Sequence, residues 1–144
     1  MSIGYAISAT LDPKPSINNI EFILQKVARN GFTLWQYEFG ILEENLSTIL
    51  DPKTAALQIW DGMEERKKGD DDAHSGVVIK YGETYCGLSF YRTEENNLMV
   101  FLDLRANVKK RHNDRWTPDF AHYIKFLLMA CEDFYIVKIE TIAT

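Results

Sequence analysis

Runs of β-branched and aromatic residues, separated by short polar breaks, fill the chain between residues 77 and 104. The runs are Val77–Tyr81, Thr84–Tyr91 and Leu98–Leu104, and the breaks between them contain Gly and Asn. Glycine and asparagine favour tight turns, and strands joined by tight turns pair antiparallel with their neighbours. We therefore predict a three-strand meander at about residues 77–104.

Three further strands are predicted outside the meander, at Ile3–Leu11, Phe32–Phe39 and Phe134–Ile142. Each has apolar or aromatic residues with a period of two, as half-buried strands do. The pattern weakens from Gly40 to Leu50, where a short strand, a helical turn and a loop all fit. The polar run from Gly69 to Gly76 predicts a loop, because it is charged and flanked by glycines.

Alternation also predicts which side chains share a face of the sheet. In the last strand, Ile136 and Lys138 fall on one side, and Val137 and Ile139 fall on the other. Aromatic residues that alternate onto an exposed face would make good anchors for a protein partner, although core packing is their commoner role. The residues considered for this role are Trp35, Tyr37, Tyr85 and Tyr91.

Helical spacing of apolar residues marks three other segments, at about 16–30, 52–68 and 118–132. Ser16 is a suitable cap for the first helix, because its hydroxyl can accept a bond from a free amide of the first turn. Asp51-Pro52 and Thr117-Pro118 each combine a capping residue with proline at the first helical position, where the missing amide donor costs nothing.

Together these elements favour an α+β fold, with three helices packed on a mainly antiparallel or mixed sheet. The chain of 144 residues fits one domain, and we predict a single domain over residues 1–144. No apolar run reaches the roughly 18 residues that a membrane-spanning helix needs. The N-terminus also lacks the basic and apolar regions of a secretion signal, so we expect a cytoplasmic location.

Charge is unevenly distributed along the chain. The net charge is −5, yet the segment from Arg105 to Trp116 carries +4, so the remaining residues sum to −9. An acidic surface attracts positively charged proteins and repels polyanions. We therefore expect a basic protein partner, and neither nucleic acid nor a membrane. The basic segment either binds an anion or lies in solvent and pairs with acidic residues of its own chain.

Few residue patterns carry recognisable chemistry. Asp70-Asp71-Asp72 with His74 offers metal-ligating side chains, but such a site needs further ligands, and aspartate runs between glycines are usually solvated. Cys86 and Cys131 lie within apolar patterns, which predicts buried thiols. Neither a serine-nucleophile motif nor a phosphate-binding glycine spacing is present. We predict no catalytic residue, metal or cofactor.

These observations suggest a non-enzymatic acidic protein-binding module, an immunity-type inhibitor that neutralises a basic nuclease toxin by binding it. The alternatives are a small metal- or anion-dependent enzyme or ligand-binding domain, with its pocket between the sheet and the C-terminal helix, and a homodimer formed through an exposed strand edge. The predicted partner-binding residues of the inhibitor are acidic: Glu43, Glu44, Asp61, Glu64, Glu65, Asp70, Asp71 and Asp72.

Overall fold

The computed structural model describes residues 5–36, 48–66, 75–82, 84–104 and 119–143. These residues form one antiparallel sheet and three helices, which confirms the predicted α+β class. The helices are α1 (Ile17–Arg29), α2 (Pro52–Arg66) and α3 (Phe120–Ala130). The strands are β1 (Tyr5–Leu11), β2 (Thr33–Gln36), β3 (Ile49–Leu50), β4 (Ser75–Tyr81), β5 (Thr84–Arg92), β6 (Leu98–Leu104) and β7 (Ile136–Ala143). Their order in the sheet is β3-β2-β4-β5-β6-β1-β7.

Side-chain caps fix where the helices begin. The Ser16 hydroxyl accepts a hydrogen bond from the Asn19 amide at 3.1 Å, as predicted for α1. The Asp51 carboxylate accepts bonds from the amide and the hydroxyl of Thr54, both at 2.8 Å, and these bonds lower the pKa of Asp51. The prediction that Thr117 caps the third helix is wrong. Asp119 caps α3 instead, because its carboxylate accepts a bond from the first-turn amide of His122.

The core lies between the three helices and one face of the sheet, which we call the helix-covered face. The pairing register places Ile7, Leu102 and Leu88 opposite one another across three strands, and all three are fully buried. The apolar stripe of α1, predicted from its helical spacing, is also fully buried against this face. It consists of Ile20, Ile23, Leu24 and Val27.

Strands β4, β5 and β6 pair antiparallel in chain order. The first of them begins two residues earlier than expected, since Ser75 and Gly76 pair with Phe90 and Ser89 instead of ending a loop. A polar composition suggested a loop, but the neighbouring strand supplies backbone partners that composition does not reveal. The short strand β3 lies within the segment that the sequence pattern left unassigned.

A register shift changes the faces of β7. Leu11 of β1 pairs with Ile136, whereas Thr10 pairs with Lys138, so one extra residue lies between the two pairs. Paired residues in an antiparallel sheet point to the same face, and an extra residue reverses the alternation. Ile136 therefore lies on the helix-covered face and Lys138 on the other. The prediction that these two residues share a side is wrong, because a bulge cannot be read from alternation alone.

Candidate functional site

No described helix packs on the second face of the sheet, which we call the open face. The registers align its side chains in two rows that cross β5, β6, β1 and β7. The first row is Ser89, Phe101, Ser8 and Glu140, and the second row is Tyr91, Met99, Thr10 and Lys138. Small side chains on β1 thus lie between larger ones on both neighbouring strands.

This difference in side-chain size leaves a groove of about 580 Å³ on the open face. The rings of Tyr91 and Phe101 meet edge to face on one side of it, with their centroids 5.7 Å apart. Lys138 and Glu140 form an ion pair on β7 at the other side. The β5–β6 turn also contributes lining residues, among them Glu95 and Asn97. A groove with one apolar wall and one charged wall suits the amphipathic surface of a partner better than it suits a small charged metabolite.

The sequence pattern identified only part of this surface. Of the four aromatic residues considered as anchors, Trp35 and Tyr91 lie on the open face, and both are half-buried. Tyr37 and the side chain of Tyr85 lie outside the described part of the chain. Phe101 was not among these four residues, although its alternation with the buried residues of β6 was a usable signal.

The predicted acidic residues that the structure describes all lie on α2. Asp61 and Glu65 are exposed one helical turn apart, and Leu57, one turn earlier, is 45% exposed. We call these three residues the acidic stripe. Within the described residues, neither Asp61 nor Glu65 forms an ion pair. Among these described residues, the stripe therefore presents two carboxylates without an ion-pair partner beside an apolar side chain. Outside the described residues lie Glu43, Glu44, Asp70, Asp71 and Asp72.

Glu64 belongs to a different environment. Its carboxylate accepts a hydrogen bond from Arg92 of β5 at 3.0 Å, and the Arg92 guanidinium lies 5.6 Å from the centre of the Trp60 ring. Arg92 also donates to the Asn96 side chain in the β5–β6 turn. The negative charge of Glu64 is thus largely compensated within the chain. Glu64 ties the end of α2 to the sheet instead of extending the acidic stripe.

The acidic stripe and the groove lie on opposite sides of the molecule. The other side of α2 buries Ala56, Ile59 and Met63 in the core, so the stripe points away from the sheet. The groove is on the open face, behind the sheet. One flat partner therefore cannot cover both surfaces at once.

The described titratable groups show little reactive chemistry. Cys86 and Cys131 are free and buried, as predicted, and burial raises the pKa of both thiols to about 12, with a further contribution from Asp103 at Cys86. A thiol with so high a pKa is a poor nucleophile near neutral pH. No three His, Cys, Asp or Glu side chains in the described ranges are grouped closely enough to hold a metal ion.

Two predicted chemical features fall outside the described residues, namely Asp70–Asp72 with His74 and the basic segment from Arg105 to Trp116. The groove lies on the face opposite α3, and the α3 residues Tyr123 and Leu127 are buried in the core. The alternative of a pocket between the sheet and the C-terminal helix stays a prediction.

Comparisons of this chain with protein-family models, with curated proteins and with solved structures found no match. None of the three described helices has the length and hydropathy of a membrane-spanning segment. We therefore infer a function from the surfaces described above.

Proposed function

We propose that this protein is a non-enzymatic binding module, an immunity-type inhibitor that neutralises a basic nuclease toxin by binding it. The acidic stripe of α2 is the observation that carries this proposal. Asp61 and Glu65 are exposed on one face of the helix, and no ion pair within the described residues compensates them. In this proposal the stripe binds lysine and arginine side chains of the toxin.

The geometry of the stripe suits such a partner. Residues four apart on a helix have their Cβ atoms about 5–6 Å apart, so two carboxylates can contact adjacent cationic side chains. A nuclease needs cationic side chains in its cleft because its substrate is a polyanion. Carboxylates placed in that cleft compete with the phosphates, and the negative charge of −5 on the whole chain speeds the encounter.

Two neighbouring features strengthen the stripe as a binding surface. Leu57 adds apolar contact area next to the carboxylates, and interfaces gain more from desolvated apolar contacts than from charges at their rim. The contact of Glu64 with Arg92 holds the end of α2 against the sheet. The helix is thus fixed before binding, which lowers the entropy lost on association.

The test uses a panel of purified cationic nuclease toxin domains. Inhibition of plasmid cleavage and binding by calorimetry are measured at low and at high salt. We expect stoichiometric inhibition of at least one nuclease, with affinity that falls as salt rises. The variant Asp61→Asn/Glu65→Gln should bind that nuclease about tenfold more weakly, mainly through slower association.

A matched control is Asp12→Asn/Glu94→Gln, which removes two exposed negative charges elsewhere on the molecule. This control should bind almost as tightly as the parent protein. If no nuclease of the panel binds at low salt, the proposed function is wrong. If binding occurs and both double variants weaken it equally, the acidic stripe is not the recognition element.

A further inference from the structure

The last strand exposes unusual apolar surface at an edge of the sheet. Tyr135, just before β7, is 74% exposed, Val137 is 56% exposed and Ile139 is 37% exposed. Three of the eight large exposed hydrophobic residues described thus fall within five positions. Among the described residues β7 pairs with β1 alone, so its outer edge has no strand neighbour there. Such an edge is a template for pairing with another chain.

The charges on β7 restrict what can pair with it. Lys138 and Glu140 lie on either side of Ile139, and both project onto the open face, opposite Thr10 and Ser8. They form an ion pair with each other, so the strand carries one positive and one negative charge on the same face. A partner strand that pairs antiparallel with β7 and complements its charges must place a negative charge opposite Lys138 and a positive charge opposite Glu140.

A second copy of β7 meets this requirement. When two copies run antiparallel about a twofold axis through Ile139, Lys138 of each copy lies opposite Glu140 of the other. Opposite charges directly across a strand pair are stabilising, and like charges are destabilising. Moving the axis by one residue in either direction places lysine opposite lysine or glutamate opposite glutamate. The strand is therefore self-complementary in this register.

We propose that this protein pairs with a second copy of itself through β7, about a twofold axis at Ile139 and perpendicular to the sheet. The two sheets then form one continuous sheet with the helices of both copies on one side. The Ile139 side chains meet at the axis on that side and lose their exposure to water. The acidic stripe stays exposed, because α2 packs near β4 and far from β7 in the strand order. The dimer thus does not depend on the proposed function.

Charge reversal of β7 gives a direct test, read by sedimentation equilibrium of the purified chain. The parent protein should be a dimer. Lys138→Glu leaves only negative charge at the axis and Glu140→Lys leaves only positive charge, so each variant should dimerise at least about tenfold more weakly. An equal mixture of the two variants should form a heterodimer, because every cross-strand pair is again of opposite charge.

Two further variants complete the design. Lys53→Glu changes an exposed charge on α2 by the same amount and should leave the dimer intact. The double variant Lys138→Glu/Glu140→Lys restores both cross-strand pairs with their signs exchanged and should also dimerise. Circular dichroism establishes that each variant is folded.

Three results would overturn the proposal: a monomeric parent protein at high concentration, single variants that dimerise as tightly as the parent, or folded single variants that do not associate when mixed. If dimerisation returns when the two single variants are mixed, misfolding of the single variants cannot be the reason that each of them fails to dimerise alone. These results also leave toxin binding by α2 untouched, so the two proposals fail independently.

Discussion

The two faces of the sheet use the same strands in opposite ways. On the helix-covered face, Phe90, Leu88 and Leu102 are fully buried and form a continuous apolar layer. On the open face, alternate positions of the same strands carry half-buried Phe101 and Met99 beside glycine, serine and charged residues. The covered face supplies the burial that holds the fold together. Ala6, Ser8 and Val78 on the open face are buried as well, so the half-buried side chains around the groove and the exposed edge strand β7 are the parts that can contact other molecules.

The largest difference is expected between the reactivity of the thiols buried in the core and the reactivity of a thiol introduced into the groove of the open face. At mildly alkaline pH, a thiol of pKa about 12 has roughly a thousandth of the thiolate of an ordinary cysteine. Native Cys86 and Cys131 should therefore react with Ellman's reagent at least about a thousandfold more slowly than the thiol introduced by Thr10→Cys in the groove. All should react once guanidinium unfolds the chain. Fast reaction of the native thiols would show that the covered face is accessible.

Two phenylalanines on adjacent strands, one on each face of the sheet, measure the same contrast through the free energy of unfolding. Phe90→Ala removes a fully buried ring and should lower the free energy of unfolding by about 3–5 kcal/mol. Phe101→Ala, on the adjacent strand, removes a half-buried ring that contacts Tyr91 and should cost about 1–2 kcal/mol. Urea unfolding followed by circular dichroism checks both values. Equal losses would mean that the open face is packed as tightly as the core.

Two glycines distinguish crowded from roomy parts of the open face. A Cβ atom at Gly76 would lie 2.2 Å from the Leu88 carbonyl oxygen, so Gly76→Ala forces β4 and β5 apart and should cost about 1–3 kcal/mol. Among the described residues, a Cβ at Gly87 would meet nothing closer than the Asp103 Cβ at 3.4 Å. Gly87→Ala should therefore change stability by less than about 1 kcal/mol. Thermal unfolding of both variants tests this order, and an equal cost at both positions would contradict it.

Local signals in the sequence predicted the helices well. The caps at Ser16 and Asp51 and the apolar stripe of α1 involve residues within one or two turns of each other, so the sequence pattern contains the whole interaction. The cap of α3 was misplaced by two residues, because Thr117 and Asp119 are both suitable acceptors. In the structure, the Asp119 carboxylate accepts a hydrogen bond from the His122 amide, so Asp119 is the cap.

The candidate surfaces were predicted less completely, because they depend on distant contacts. Asp61 and Glu65, two of the predicted partner-binding residues, are exposed on α2. The sequence pattern could not show that Glu64 contacts Arg92, a residue 28 positions away on another element. The groove was missed because it requires side chains of β5, β6, β1 and β7 to be aligned by their pairing registers.

The sequence by itself determined the identity of most elements, the apolar residues of the core, the burial of both cysteines and the acidic character of the protein. These properties follow from local spacing and composition. Only the tertiary structure decided that β1 lies between β6 and β7, that a bulge turns Ile136 and Lys138 to opposite faces, and that β7 ends the described sheet. Strand order and register depend on backbone hydrogen bonds between segments far apart in the chain. A hydrophobic pattern indicates which face of the sheet a residue prefers, but it does not indicate which strand lies beside that residue.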